Sequence, residues 1–159
     1  MYKAYADNKH GSIFIIHYGE YIGAESQDSI IQVLQKMSLE KRRSITSVIS
    51  DKRQCREATL QDTDYAKAKI FYKRIAELFH LPEEHLANYL KNVRHVHLLS
   101  QEQVDYAVFL ERLQRTEAFI KDVVREVFTQ ESDALISIGL RQDYNYLKEA
   151  EFLFDNGSD

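Results

Sequence analysis

The sequence predicts an α+β fold, mostly helical: a small N-terminal antiparallel β-element, then a helical body containing a helix-turn-helix-like hairpin and a long helix. Three observations predict it. β-Branched and aromatic residues crowd positions 2–24 around a turn signal; the only proline, Pro82, sits between two apolar stripes of helical spacing; and no glycine or proline interrupts 100–138. A chain of 159 residues with 44% apolar and 29% charged residues can bury a core without disulfides, which fits a single domain, 1–159. Residues 1–60 then form a hairpin-plus-helix subregion and 61–159 a helical one.

Tyr2–Ala6 leads into Asn8-Lys9-His10-Gly11, a turn signal, and the run Ser12–Gly23 returns as the second arm of a hairpin. Gly19 breaks that run, leaving a short third strand over Glu20–Ala24. Ser26 caps a helix over Gln27–Met37, whose Ile30, Val33, Leu34 and Met37 face the sheet. Residues 38–60 read two ways: a helix with Ile45, Val48 and Ile49 inward, or a second hairpin. The helix is favoured.

Asp62 or Thr63 caps a helix reaching His80, with Ile75, Ala76 and Phe79 as its stripe. Leu81-Pro82 makes the turn, and Pro82 suits a first-turn position, where its missing N–H is not needed. The second helix spans Glu83–Asn92, with Leu86, Tyr89 and Leu90 inward. Arg94–Leu99 is a short extended link. Ser100-Gln101-Glu102-Gln103 is a capping box that opens a helix through Phe128, about 40 Å long at 1.5 Å per residue. A last helix follows over Ser132–Phe154.

Several classes of activity are disfavoured. Cys55 is the only cysteine, so no intramolecular disulfide forms. An ordinary cysteine is the favoured reading; the alternative is a redox sensor whose thiol pKa the flanking Arg53 and Arg56 would lower. The N-terminus lacks the apolar run of a signal peptide, and Ile13–Ile16 is too short to span a bilayer. A cytoplasmic location without a membrane partner is therefore expected. The five glycines form neither G-x-G-x-x-G nor a phosphate loop, and no G-x-S-x-G elbow occurs. No cofactor is implied, and an enzyme is the less favoured class.

Ten tyrosines with no tryptophan point to a binding surface, because tyrosine joins apolar area to a hydroxyl. The leading expectation is a non-enzymatic cytoplasmic regulatory or interaction protein of adaptor or inhibitor type. Its protein-binding surface would use Tyr5, Tyr18, Tyr21, Glu83 and Glu84. The partner would be another protein, or a second copy in a homodimer; an accessory protein of a phage or mobile element suits this profile.

The alternative is a DNA-binding regulator. Residues 70–93 carry two short helices around the proline turn, and 94–114 lie where a wing and a further helix would follow. This pattern resembles the winged helix-turn-helix of MerR-like regulators, over about Ile70–Gln114. The resemblance implies a DNA-reading role for the second helix. Arg42, Arg43, Arg53, Arg56, His85, Asn88, Lys91 and Arg94 are the candidate nucleic-acid contacts. Glu83 and Glu84 at the start of that helix oppose phosphate, and the net charge of −4 adds no general attraction, so nucleic acid ranks second. A third reading is a metal-binding protein or enzyme built on His95 and His97, since His-x-His on an extended segment places both rings on one face.

Overall fold

The computed structural model describes residues 1–20, 25–56, 65–103 and 124–157. Its centre is a six-stranded mixed sheet in the order β5-β4-β3-β2-β1-β6. The strands are β1 (Tyr2–Asp7), β2 (Ser12–Gly19), β3 (Ser47–Cys55), β4 (Arg94–Leu98), β5 (Val124–Phe128) and β6 (Glu151–Asp155). The described helices are α1 (Glu25–Gln35), α2 (Leu39–Arg43), α3 (Tyr65–Leu78), α4 (Glu83–Leu90), α5 (Glu131–Ser137) and α6 (Tyr146–Glu149), with a 3₁₀ turn at Gln101–Gln103. The expectation of a mostly helical α+β protein with a small N-terminal β-element is overturned: this is an α/β fold with a substantial sheet.

The N-terminal hairpin forms as the turn signal predicts, with Tyr2 opposite His17 and Asp7 opposite Ser12. Gly11 closes its turn at φ 67°, a left-handed conformation. A Cβ there would lie 2.3 Å from the Ser44 carbonyl oxygen, so a side chain is excluded twice over. Strands β2, β3, β4 and β5 run parallel. β1 is antiparallel to β2, and β6 is antiparallel to β1, so β6 points the same way as β2.

Four sequence expectations are corrected. Residues 38–60, read as a helix or a second hairpin, hold the short α2 and then the parallel strand β3. The extended link at Arg94 is an interior strand between β3 and β5, not a wing. Where one long helix was expected through Phe128, the described part at Val124–Phe128 is strand β5; 104–123 lies outside the described residues. The last helix is instead α5, α6 and strand β6. Short apolar runs fit helical and strand periods alike, and parallel partners lie far apart in sequence, so neither signal is local. The third strand at 20–24 and the cap at Asp62 or Thr63 also fall largely outside the described residues.

The helix pair around Pro82 is correct. α3 ends with Leu81 N–H donating to the Ala76 carbonyl at 2.9 Å and His80 N–H donating to that of Glu77 at 3.1 Å. This is a Schellman cap. His80 holds its left-handed position at φ 53°, where glycine is usual. Pro82 then caps α4.

Each face of the sheet has its own core. On one face Ile13, Ile15 and Val48 pack with Val33 and Leu34 of α1, Ile75 and Ala76 of α3, and Leu86 of α4. On the other, Phe14, Ile16, Ile49, Val96 and Leu98 pack with Ala134 and Leu135 of α5 and with Leu140 and Tyr144. The second layer is tied down through one buried carboxylate. Tyr144 Oη donates to Asp7 Oδ2 at 2.6 Å, and His10 donates to the same carboxylate from Nδ1 at 2.8 Å and from its backbone N–H at 3.0 Å. Burial pushes the Asp7 pKa up, but these hydrogen bonds outweigh it and hold the carboxyl below its ordinary value.

Tyr144→Phe is expected to lower unfolding stability at pH 7 by about 2 kcal/mol, the loss of a hydrogen bond to a charged acceptor. Because the folded-state pKa of Asp7 is depressed, its stabilisation is complete above the unfolded carboxylate pKa and fades as pH falls through the folded one. Urea titrations should therefore show the gap between wild type and variant narrowing as pH falls below the ordinary carboxylate range.

Candidate functional site

The next described helix after β3 is α3, on the face covered by α1 and α4; the next after β5 is α5, on the opposite face. α1, which follows β2, lies on the same face as α3, so the helices described after these two neighbouring strands share a layer. The carboxyl ends of β2, β3 and β4 carry His17, Lys52, Cys55 and His97, and Glu25 opens α1 beside them.

Strand alternation puts His17, Lys52 and His97 on one face, and a register irregularity lies at the same place. Ile16 aligns with Asp51 and Tyr18 with Gln54, so His17 alone opposes both Lys52 and Arg53. Such a bulge re-aims side chains locally. Lys52 turns towards the α1 face, where its Nζ donates to His97 Nδ1 at 3.3 Å. Arg53 turns to the other face and forms a bidentate pair with Asp51, Nε to Oδ1 at 3.0 Å and Nη2 to Oδ2 at 2.7 Å. It also reaches Glu131 at 3.4 Å.

Lys52 is only 2% exposed, and His17 and His97 are 0% and 3% exposed. Lysine is almost never buried so completely without compensation. Burial pulls the Lys52 pKa down to about 8, against the attraction of Cys55 and Glu25. Burial likewise lowers the His17 pKa, with the charge of Lys52 adding to it and the hydrogen bond to Glu25 opposing it. His17 Nδ1 donates to Glu25 Oε2 at 2.9 Å, and the other Glu25 oxygen accepts from the N-terminal ammonium of Met1. Burial would raise the Glu25 pKa, but these donors outweigh it and keep the carboxyl ionised below its ordinary range. Burial and the Glu25 charge push the Cys55 thiol up to about 11, so the flanking arginines do not activate it.

His95 and His97 do share a face, their ring centroids 4.3 Å apart, and His95 Nε2 is hydrogen-bonded to the Ser50 hydroxyl at 2.9 Å. Among the described residues no group of three or more His, Cys, Asp or Glu side chains is arranged to hold a metal ion. Beyond His97 the carboxyl ends of β4 and β5 flank a crevice of about 400 Å³ that includes Leu99, Ser100, Thr129 and Asp133.

The other residues singled out from the sequence are dispersed. Tyr5 is buried between Tyr146 and Phe152, Tyr18 donates to Asp155, and Glu83 and Glu84 are exposed at the start of α4. Tyr21 lies outside the described residues. Arg42 donates to the carbonyls of Leu34 and Leu78, and Arg43 to that of Phe79, so both tie helix ends together. Arg94 bonds Glu126 and the Ser137 carbonyl. Arg56, His85, Asn88 and Lys91 are exposed. His17, Glu25 and Lys52 escaped sequence reasoning. The available signal was a histidine ending the apolar run Ile13–Ile16, and a lysine in period-2 phase with Val48 and Ser50.

Among the described residues no helix is long and apolar enough to cross a membrane. Since the folded-state pKa of Lys52 lies below its unfolded value, the buried ammonium costs stability at pH 7. Lys52→Met should raise stability there by about 1–3 kcal/mol in denaturant melts, and the gain should shrink between about pH 8 and 10.4 as the wild-type lysine becomes neutral in both states. The chain matches no family model, no curated protein and no solved structure.

Proposed function

We propose that the protein is a small enzyme of acid–base type, with its active centre at the carboxyl ends of β2, β3 and β4. The supporting observation is the buried Lys52 hydrogen-bonded to His97, beside the His17–Glu25 pair. Sites that hold an ammonium in an apolar interior sacrifice stability, and such sacrifices concentrate at functional centres. Glu25 accepts the Nδ1 proton of His17, which leaves Nε2 as the basic nitrogen and fixes the ring. Lys52, with its pKa near 8, exchanges a proton near neutral pH at little cost, and His97 Nδ1 is placed to receive it. The substrate class is a small molecule that undergoes proton transfer, through hydrolysis, elimination or isomerisation.

The test pairs titration with turnover. In ¹³C-labelled protein the Lys52 Cε resonance should titrate near 8, and His17 should titrate below the ordinary histidine value. Glycosides, nucleosides, lactones and esters are then screened near pH 8; turnover of any of them should fall by about 100-fold or more in Lys52→Met, with the fold retained. A Lys52 midpoint above 10 would remove the basis of the proposal.

A second reading, binding of a protein partner or a second copy, is favoured by one feature. Edge strand β6 presents Phe152, 55% exposed, next to Leu147 of α6, 60% exposed. If this edge associates, Phe152→Lys should convert a concentration-dependent dimer to monomer in light scattering; a monomer at all concentrations would leave the homodimer without support.

A further inference from the structure

We infer that the crevice between the carboxyl ends of β4 and β5 binds the sugar ring of a neutral, hydroxyl-rich substrate. This names a substrate class for the active centre proposed above, and its catalytic meaning rests on that reading. The crevice is about 400 Å³, within the usual range for small-molecule sites of about 300–1,000 Å³. Its polar lining is the Ser100 and Thr129 hydroxyls, the Gln101 amide and the Asp133 carboxylate. Hydroxyl and amide groups both donate and accept, and a carboxylate accepts two hydrogen bonds side by side. That set matches vicinal hydroxyls. Among the described residues no lysine or arginine lines the crevice, and Asp133 would repel a phosphate or carboxylate, which favours a neutral ligand. Val127 and Phe128 supply apolar surface for the ring carbons.

Its position links it to the proposed acid–base groups. Val127 aligns with His97 across the parallel β4–β5 pair, and aligned residues share a face. Leu99 lies two residues beyond His97 along the chain, about 7 Å at strand spacing. The crevice therefore opens within one strand step of His97, whose side chain, like that of Lys52, is buried behind its lining.

The experiment is an amide-shift titration of the full chain with methyl β-D-ribofuranoside, methyl α-D-glucopyranoside, adenosine and 2′-deoxyadenosine. At least one of the first three should shift the amides of 99–101 and 127–133 saturably. Asp133→Asn should weaken that binding by about tenfold or more, the loss of one charged acceptor, and so should removal of the 2′-hydroxyl if adenosine is the ligand. Asp133 is exposed, so the substitution leaves the core untouched. Shifts absent for all probes, or binding indifferent to Asp133→Asn, would overturn the inference. A Lys52 midpoint near 8 without sugar binding sinks the crevice alone; sugar binding with Lys52 titrating above 10 preserves the crevice and sinks the acid–base centre.

Discussion

Strand β3 is hydrogen-bonded in parallel to β2 on one side and to β4 on the other, and most of the remaining structure depends on that placement. From Ser47 to Asp51 it is paired on both sides, and the side chains of Ser47–Cys55 alternate between the two covered faces whatever their polarity. Val48 and Ile49 enter the two cores. The more polar half of the strand then has to find partners inside. Ser50 takes His95, Lys52 takes His97, and Asp51 takes Arg53. The irregularity opposite His17 absorbs one extra residue of β3, and pairing with β2 resumes at Tyr18–Gln54 and Gly19–Cys55.

The two faces differ in how they are closed. α1, α3 and α4 cover one with an extensive apolar layer, and Arg42 and Arg43 clip the ends of α1 and α3 together through backbone carbonyls. The other face is covered by the short α5 and by the segment around Tyr144, stacked on Phe14 and anchored on Asp7. The carboxyl ends of β2 to β4 gather the ionisable groups, while the turn at the opposite end of β2 carries the structural Asp7 clasp. The molecule thus separates a stabilising buried charge from a destabilising one. Asp7 has several donors and gains stability from its charge; Lys52 is desolvated more than it is compensated.

Particular residues show how much could be read in advance. The β1–β2 hairpin follows from Asn8–Gly11, the α3–α4 corner from its stripes and Pro82, and the shared face of His95 and His97 from strand alternation alone. The parallel strands did not follow. Arg94–Leu98 looks like a link because its partners are about 45 residues upstream and 30 downstream, and nothing local announces them. Val124–Phe128 and Glu151–Asp155 carry apolar residues that suit either period, and tertiary pairing decided for strand. Among the proposed site residues only His97 carried a visible pattern. Lys52 stands between Asp51 and Arg53 in a charged stretch that reads as surface, since sequence gives no means of knowing that its strand is interior.

By itself, therefore, the sequence determined the local geometry: turns, caps and the phase of each apolar stripe, all properties of residues within a few positions of one another. It also limited the chemistry, through a lone cysteine and the absence of phosphate-binding glycine motifs. Only the tertiary structure decided that six strands share one sheet, that β3 and β4 are interior, and that His17, Glu25, Lys52 and His97 converge at one end. The physical reason is burial. The pKa values and partners of these groups are set by desolvation and by neighbours brought from distant parts of the chain, and both exist only once the sheet has closed around them.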